Sequence, residues 1–216
     1  MTTPPYVINE PILNLIADIQ ENLGFLKSQT LTPPSVLLRK QNKIRTIQSS
    51  LAIEGNSLSL DQVSAILEGK RVLGSKKEIL EVQNAIGVYD RFSSWKAFSE
   101  KNFLLAHKTL MSGLVDSPGR YRNSAVGILK NGQVSRIAPP AKQVPRLMGA
   151  LFEFLSKKGK THPLIKSCVF HYELELIHPF SDGNGRMGRL WQQVILSDYS
   201  DVFRTLTVET LIHDRQ

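Results

Sequence analysis

The sequence predicts a mainly α-helical protein that carries one β-hairpin. Apolar residues recur at spacings of three and four through most of the chain, which is typical of amphipathic helices. Several of these segments begin at a serine and end at a glycine, which are common start and stop residues of helices. One segment departs from this period, because two short runs flank Asn131-Gly132, a dipeptide that favours a two-residue hairpin turn.

Three helices are predicted in the first 90 residues. The first runs from 35 to 54, and Gly55 supplies its stop. The second opens at Ser59-x-x-Gln62 and the third at Ser75-x-x-Glu78, which are both capping-box patterns. The first helix is expected to place four apolar residues on one face, namely Leu37, Ile44, Ile47 and Leu51.

The second half of the chain contains the hairpin and four further helical stretches. The predicted strands cover 126–130 and 133–137, and two prolines follow them. The helical stretches run over 142–156, 163–177, 184–197 and from Val208 to the end of the sequence. A mainly helical domain with one hairpin is therefore the predicted architecture.

The composition excludes several classes of protein. The 216 residues, 41% of them hydrophobic, are enough for one domain with a sizeable core. The single cysteine, Cys168, excludes an internal disulfide framework and is expected to be buried in an apolar helix. No stretch approaches the ~18 uninterrupted apolar residues of a transmembrane helix. The N-terminus shows no secretion signal, so a cytoplasmic location and no membrane partner are expected.

The net charge favours anionic partners without identifying them. Lys and Arg number 27 against 19 Asp and Glu, which gives a formal net charge of +8. The basic residues form short, scattered groups, and no basic stripe with interleaved aromatic residues occurs. Direct nucleic-acid binding by this chain is therefore not expected.

The stretch from His178 to Arg189 carries the clearest chemical signal. Pro179 ends the preceding apolar helix, and Gly183-Asn184-Gly185 forms a loop that runs directly into the next helix. Free amides and the positive end of the helix dipole make such a loop an anion site. Two arginines three residues apart, Arg186 and Arg189, project from the same side and suit a polyphosphate.

Two further residues in this stretch supply reactive groups. Asp182 is the kind of single carboxylate that holds Mg²⁺ together with water and phosphate oxygens. His178 has an imidazole whose ordinary pKa near ~6.5 suits a general base at neutral pH. The loop is not a Walker A loop, and no predicted strand precedes it, which argues against a Rossmann site. The residues together indicate phosphoryl or nucleotidyl transfer.

The same stretch matches the motif H-x-F-x-[DE]-G-N-G-R-x-x-R of the Fic family at every specified position, so the chain resembles that family. The resemblance implies a helical fold and transfer of AMP from ATP to a hydroxyl of a target protein. It implies that His178 is the catalytic base, that Asp182 holds Mg²⁺ and that Phe180 anchors the loop. The nucleotide would be held by Gly183, Asn184, Gly185, Arg186, Met187, Gly188 and Arg189.

A second segment resembles the inhibitory motif [ST]-x-x-x-E-[GN] of the subclass that carries it before the Fic core. Here Ser50 and Glu54 occupy its specified positions, followed by Gly55. The resemblance implies that Glu54 pairs with Arg189 and denies it to the γ-phosphate, while Ser50 fixes Glu54. The implied organisation is an N-terminal helical region over 1–70, a core over 71–205, and the start of a C-terminal helix, cut short, over 206–216.

The hairpin is either structural decoration or an edge for docking an extended target segment. The resemblance favours docking, with Ile128, Val134 and Ile137 as the candidate residues. The expected partners are ATP and a target protein with a hydroxyl side chain, and the chain itself is one candidate target. Whether the chain forms a homo-oligomer stays open. The alternatives to adenylyl transfer are a regulatory ATP-binding module with little turnover, removal of AMP, and transfer of another nucleotide.

Overall fold

The computed structural model describes residues 4–29, 35–130, 133–157, 159 and 161–215. Nine α-helices and two β-strands form within this part of the chain. The elements follow in the order α1 (Glu10–Gln29), α2 (Val36–Ala52), α3 (Leu60–Leu67), α4 (Lys76–Asp90), α5 (Glu100–Leu110), β1 (Gly127–Lys130), β2 (Gln133–Ile137), α6 (Val144–Ser156), α7 (Pro163–Ile177), α8 (Asn184–Tyr199) and α9 (Val208–His213).

The helix starts predicted from serine caps are present. The Ser35 hydroxyl accepts from the N–H of Leu38 at the start of α2, and Ser59 forms a complete capping box with Gln62. Ser75 also caps α4, but the Glu78 carboxylate turns to the hydroxyls of Ser75 and Ser57. Capping residues therefore set these helix starts as their spacing indicated.

Two helices, α1 and α5, were not predicted. Asn9 starts α1, since its side-chain oxygen accepts from the N–H of Ile12, and Leu23 is the only buried residue among those that the structure describes in this helix. Ser99 starts α5 by accepting from the N–H of Asn102. Most of the large apolar residues of α1 are exposed, namely Leu13, Leu15, Ile19, Phe25 and Leu26.

One sequence prediction about burial is wrong, that for Cys168. Leu37 shares a face of α2 with Ile44 and Leu51 as predicted but is exposed, because the buried residues of α2 begin at Ile44. Cys168 is also exposed, since the adjacent Ser167 occupies the buried face of α7. Within the described residues, no helix combines the length and the apolar character that crossing a membrane requires.

The core forms around α8, which packs against α7, α5 and α2. Trp191 of α8 is fully buried, and its indole N–H donates to the carbonyl of Ala97 at 3.0 Å. Its ring meets the edge of Phe103 from α5 with 5.1 Å between centroids. Each fully buried aromatic residue of this kind contributes roughly 1.5–3 kcal/mol. Trp191 thus packs the middle of α8 against α5.

The strands β1 and β2 pair antiparallel and occupy the position of the predicted hairpin. Their register shifts between Ile128 and Leu129, which marks a bulge or irregularity. The N–H of Ala138 donates to the carbonyl of Val126 at 3.2 Å and continues the pairing at the base. The two residues of the predicted turn, 131 and 132, lie outside the described part of the chain.

Candidate active site

The C-terminal end of α7 presents the imidazole of His178. This residue has a left-handed backbone with φ of 49°, and it is the only non-glycine residue with positive φ among the residues described. Its N–H closes the helix on the carbonyl of Leu174 at 2.8 Å. A left-handed backbone is rare for a side-chain-bearing residue and is found at functional turns. The chain therefore reverses at His178 and leads directly into the loop.

Burial sets the charge state of His178. It lowers the pKa of the imidazole below its ordinary value of 6.5, because the charged form loses water on entering the fold. The Nδ1 atom is buried and has no hydrogen-bond partner within the described part of the chain. The ring is therefore neutral at neutral pH, which leaves it able to accept a proton.

Arg122 fixes the backbone beneath His178, and nothing in the sequence had indicated this role. Its guanidinium donates to the carbonyls of His178 at 2.7 Å and Ile177 at 3.2 Å. It also donates to the carbonyls of Ser124 at 2.8 Å and Pro139 at 2.6 Å. One buried side chain thus joins the end of α7 to the base of the hairpin.

His107 of α5 supports the loop from below. Its Nδ1 accepts the N–H of Gly119 at 2.8 Å, so Nε2 carries the proton and donates to the carbonyl of Asp182 at 3.0 Å. The ring stacks on Phe180 with 3.6 Å between centroids. Burial lowers the pKa of His107 to about 4, so this histidine is neutral at neutral pH. Phe180 is fully buried, as expected of an anchor for the loop.

Asn184 closes the loop instead of facing its mouth. Its side-chain oxygen accepts the N–H of Phe180 at 2.9 Å, and its side-chain nitrogen donates to the Phe180 carbonyl at 3.0 Å. Gly183 has φ of +83°, and a Cβ there would come within 2.7 Å of the Met111 sulfur. The Asn184 amide side chain is thereby committed to holding the turn.

The N-terminus of α8 offers three unpaired amides. The first backbone hydrogen bond of the helix joins the N–H of Met187 to the carbonyl of Gly183 at 3.0 Å. No side chain caps the helix, and the N–H groups of Asn184, Gly185 and Arg186 have no partner among the described residues. Unpaired amides at the positive end of a helix dipole attract anions. The free amides on which the predicted anion site depends are therefore present.

Met187 and Gly188 lie elsewhere in the helix. The Met187 side chain is fully buried and its N–H is used by the helix. A Cβ on Gly188 would come within 2.7 Å of Glu175 Oε1 and 3.3 Å of the His171 ring. Met187 fills the core and Gly188 lets α7 approach α8, so neither residue presents a free group at the loop. Within the described chain, no cluster of three His, Cys, Asp or Glu forms a metal site.

Arg186 is buried but only loosely paired. Its guanidinium lies 3.4 Å from Glu81 Oε1 and 3.3 Å from Asp182 Oδ1, which are long distances for charge-assisted hydrogen bonds. Its Nε has no partner among the described residues. Glu81, which sequence reasoning missed, is fixed by the Asn56 side chain at 2.9 Å. Arg186 therefore keeps donor capacity for a further anion.

Asp182 lies at the mouth of the loop. Its carboxylate accepts the N–H of Gly183 at 2.6 Å and lies 3.3 Å from Arg186. The side chain keeps 53% of its surface exposed. A half-exposed carboxylate beside free amides fits Mg²⁺, which keeps several waters and takes its other ligands from phosphate oxygens.

Arg189 is bound by Ser50 near the end of α2 and by Glu54 in the turn that follows this helix. Its Nη2 donates to Glu54 Oε1 at 2.7 Å and to the Ser50 carbonyl at 3.0 Å, while Nε donates to the Ser50 hydroxyl at 3.1 Å. Arg189 is 9% exposed and Glu54 35%. A Cβ on Gly185 would lie 2.5 Å from Glu54 Oε1, so this glycine permits the approach. Ser50 contacts Arg189 itself, where we had expected it to fix Glu54.

The candidate docking residues lie on the hairpin. Ile128 is in β1, Val134 in β2 and Ile137 at the end of β2, where its side chain is 77% exposed. The side chains of Ile128 and Val134 lie outside what the structure describes. Pro139, two residues beyond Ile137, is held by Arg122 at 2.6 Å. The base of the hairpin is therefore connected to the backbone of His178.

Comparison with known proteins places this site in a family. The model described as "Fic/DOC family" matches residues 97–196. The chain is 28% identical over 201 residues to the "Protein adenylyltransferase Fic" of Nematostella vectensis, which covers 88% of this chain and 45% of the relative. It is 32% identical over 168 residues to the protein of that name from Aedes aegypti, which covers 73% and 32%. The chain thus spans less than half the length of these relatives.

A solved structure shows the same fold at higher identity. The crystal structure of a Fic family protein from Desulfovibrio desulfuricans G20 matches with a TM-score of 0.91 and 52% sequence identity. The match covers 99% of this chain and 66% of that one. The matched family segment contains the whole loop and most of α8. On sequence and fold together, the chain belongs to the Fic/DOC family.

Proposed function

We propose that this chain transfers AMP from ATP to a hydroxyl side chain of a target protein and that Glu54 restrains the reaction. The observation that carries the proposal is the single turn between α7 and α8. Within it, a neutral histidine, a half-exposed carboxylate and three unpaired amides lie next to two buried arginines. The names of the relatives as protein adenylyltransferases support this function.

The phosphates of ATP bind at the N-terminus of α8. The amides of Asn184, Gly185 and Arg186 donate to phosphate oxygens, and the guanidinium of Arg186 opposes their charge. Asp182 holds Mg²⁺, which neutralises phosphate charge when it is bound. The role of Asn184 is carried by its backbone, because its side chain closes the loop.

His178 acts on the target hydroxyl. Its neutral ring accepts the hydroxyl proton as the oxygen bonds to the α-phosphorus of ATP. The bond from the α-phosphorus to the bridging oxygen breaks, and pyrophosphate leaves with both electrons of that bond. Arg186 stabilises the charge that collects on the leaving group. Positioning is the remaining contribution, and Arg122 supplies it by fixing the backbone of His178.

Glu54 restrains the reaction by occupying Arg189. The γ-phosphate and the Glu54 carboxylate seek the same guanidinium, and the 2.7 Å contact is an ion pair of good geometry. ATP then binds without the Arg189 contact, in a pose that does not favour transfer. An extended segment of the target pairs with the edge of the hairpin and contacts the exposed Ile137 side chain. Arg122 connects this end of the hairpin to His178 through the Pro139 carbonyl.

Labelled ATP tests this function directly. Wild type, Glu54→Gly and His178→Ala are incubated with cell lysate and ATP labelled on the α-phosphate, and modified proteins are identified by mass spectrometry. We expect Glu54→Gly to raise incorporation above wild type. Adding His178→Ala to that variant should lower incorporation by about 10²–10⁴-fold.

Matched controls separate the competing functions. His213→Ala removes an exposed histidine of α9 and should leave incorporation unchanged. Label from the γ-phosphate should not appear on protein, since pyrophosphate leaves. ATP binding without incorporation in any variant would instead favour a regulatory ATP-binding module. Loss of AMP from a modified protein would favour removal of AMP as the function. Transfer from another labelled nucleotide would show that the donor is not ATP.

A further inference from the structure

A second cavity of about 180 Å³ lies along the same face of α2 as Ser50, nearer the N-terminal end of the helix. It is bounded by α2, the C-terminal end of α4, α8 and the segment 204–206 that precedes α9. A single water needs only about 10–15 Å³, so this cavity has room for an organic molecule. It is lined by Arg39, Asn42, Lys43, Thr46, Tyr89, Phe92, Gln193, Arg204, Thr205 and Leu206.

The charged residues that line the cavity are all cations. Arg39, Lys43 and Arg204 line it, and no acidic residue does so in the described part of the chain. Lys43 is paired with Asp90 at 2.7 Å and Arg204 with Asp201 at 3.1 Å. The Arg39 side chain makes no ion pair or hydrogen bond within the described residues. The cavity is therefore suited to an anionic group.

One of the lining residues, Gln193, has a buried acceptor that is left without a donor. Gln193 is 7% exposed, and its side-chain nitrogen donates to the Phe203 carbonyl at 3.4 Å. Its Oε1 is buried and has no partner in the described part of the chain. An unpaired buried acceptor is unfavourable, so a bound O–H or N–H donor would be stabilised there. Asn42 binds the Thr205 carbonyl at 2.7 Å and joins the two walls.

Two aromatic residues line the cavity, Tyr89 and Phe92, and the Tyr89 hydroxyl is buried without a partner in the described part of the chain. Tyr89 and Phe92 stack with 6.2 Å between centroids and an interplanar angle of 2°. Leu206 lines the same cavity. Flat rings of this kind favour a planar apolar group by stacking or edge contact. Cations, two aromatic residues and a residue with an unpaired buried acceptor thus line a single cavity.

We propose that this cavity binds a small aromatic acid that carries a hydroxyl group. Its acidic group lies near Arg39, Lys43 and Arg204, its ring lies against Phe92, and its hydroxyl donates to Gln193 Oε1. The assignment is independent of adenylyl transfer, because it uses neither the α8 N-terminus nor ATP. A failure of either proposal therefore leaves the other intact.

Titration of the whole chain with para-hydroxybenzoate tests the site. Amide proton–nitrogen correlation spectra report the side-chain amides of Asn42 and Gln193, and both are expected to shift. Benzoate, which lacks the hydroxyl, should bind about fivefold more weakly. Phenol, which lacks the charge, should bind about tenfold more weakly.

Variants test whether the shifts arise from this cavity. Arg39→Gln changes an exposed residue and should weaken the binding of para-hydroxybenzoate by about fivefold. Gln193→Met should abolish the preference of the cavity for para-hydroxybenzoate over benzoate. Arg45→Gln, an exposed arginine of α2 outside the lining, should leave binding unchanged. Equal affinity for phenol, equal binding by Arg39→Gln and wild type, or shifts confined to residues 178–189 would overturn the proposal.

Discussion

The loop between α7 and α8 is held on two sides by different chemistry. On one side, Arg122 and a neutral His107 are buried and bind backbone carbonyls. On the other side, Glu54 reaches Arg189 from a turn just beyond α2 and keeps 35% of its side chain exposed. On the first side, the two side chains donate to uncharged carbonyls of the backbone. On the second side, two side chains of opposite charge form an ion pair.

The physical difference between the two sides is the cost of breaking them. Leaving a buried carbonyl without its donor lowers the free energy of unfolding by about 1–3 kcal/mol, because water cannot replace the lost partner. A partly exposed ion pair is screened, and water or another anion replaces it at small cost. The fold thus separates the contacts that must persist from the one that a ligand can exchange.

Removing Arg122 should give the largest effect. Arg122→Met keeps a long apolar side chain but leaves the carbonyls of His178, Ile177 and Pro139 without this donor. We expect the free energy of unfolding to fall by about 3 kcal/mol. Urea unfolding measures this change. Arg120→Met, an exposed neighbour, is the control and should change stability by less than about 0.5 kcal/mol.

A change of less than about 0.5 kcal/mol in both variants would contradict the comparison. In that case the carbonyls beneath His178 would have found other donors in Arg122→Met. The support of the loop would then not depend on one side chain. A loss in both variants would instead show that the segment is sensitive to any change of charge.

A smaller effect is expected from the protonation of His107. Its pKa in the fold is about 4, below the ordinary 6.5, so the unfolded chain binds the proton first as the pH falls. Stability that the neutral ring contributes is present above pH 6.5 and is lost between pH 6.5 and 4. From pH 7 to pH 5 we expect wild type to lose roughly 2 kcal/mol more than His107→Gln.

Urea unfolding at the two pH values measures that difference. His171 and His178 are present in both proteins, so their own titrations cancel. Gln keeps a donor and an acceptor but does not titrate in this range. Parallel losses in wild type and variant would show that His107 is not the group that resists protonation.

How far the sequence predicts this site depends on where the partner of each group lies. The reactive groups lie within twelve consecutive residues, so their spacing was enough to place the loop and its two arginines at the start of a helix; that this loop binds an anion stays a prediction. Arg122 and His107 bind the carbonyls of residues 56 and 75 positions away. A carbonyl has no residue identity, so no sequence pattern marks these contacts. Only the fold reveals them.

The helices show the same limit. Serine caps predicted α2, α3 and α4, because a cap is a local hydrogen bond. The exposure of Leu37, on the same face of α2 as the buried Ile44, depends on which neighbours that end of the helix meets, and periodicity does not encode that. The motif predicted that Glu54 meets Arg189, and this contact is present. The expected contact of Ser50 with Glu54 is replaced by one with Arg189, which donates to the Ser50 hydroxyl and carbonyl.

Neutralising Glu54 should have the smallest effect on folding and still change the site. In Glu54→Gln the Arg189 guanidinium keeps the Ser50 carbonyl and hydroxyl, and the lost charge lies at the negative end of the α2 dipole. The free energy of unfolding should therefore change by less than about 1 kcal/mol. Calorimetric titration with ATP and Mg²⁺ should show tighter binding than in wild type, because the Glu54 carboxylate no longer competes with phosphate for Arg189. Glu68→Gln, on a surface pair with Lys40 and Lys70, should match wild type in ATP affinity. A loss of stability as large as that of Arg122→Met would place Glu54 among the fixed supports and remove the distinction between the two sides.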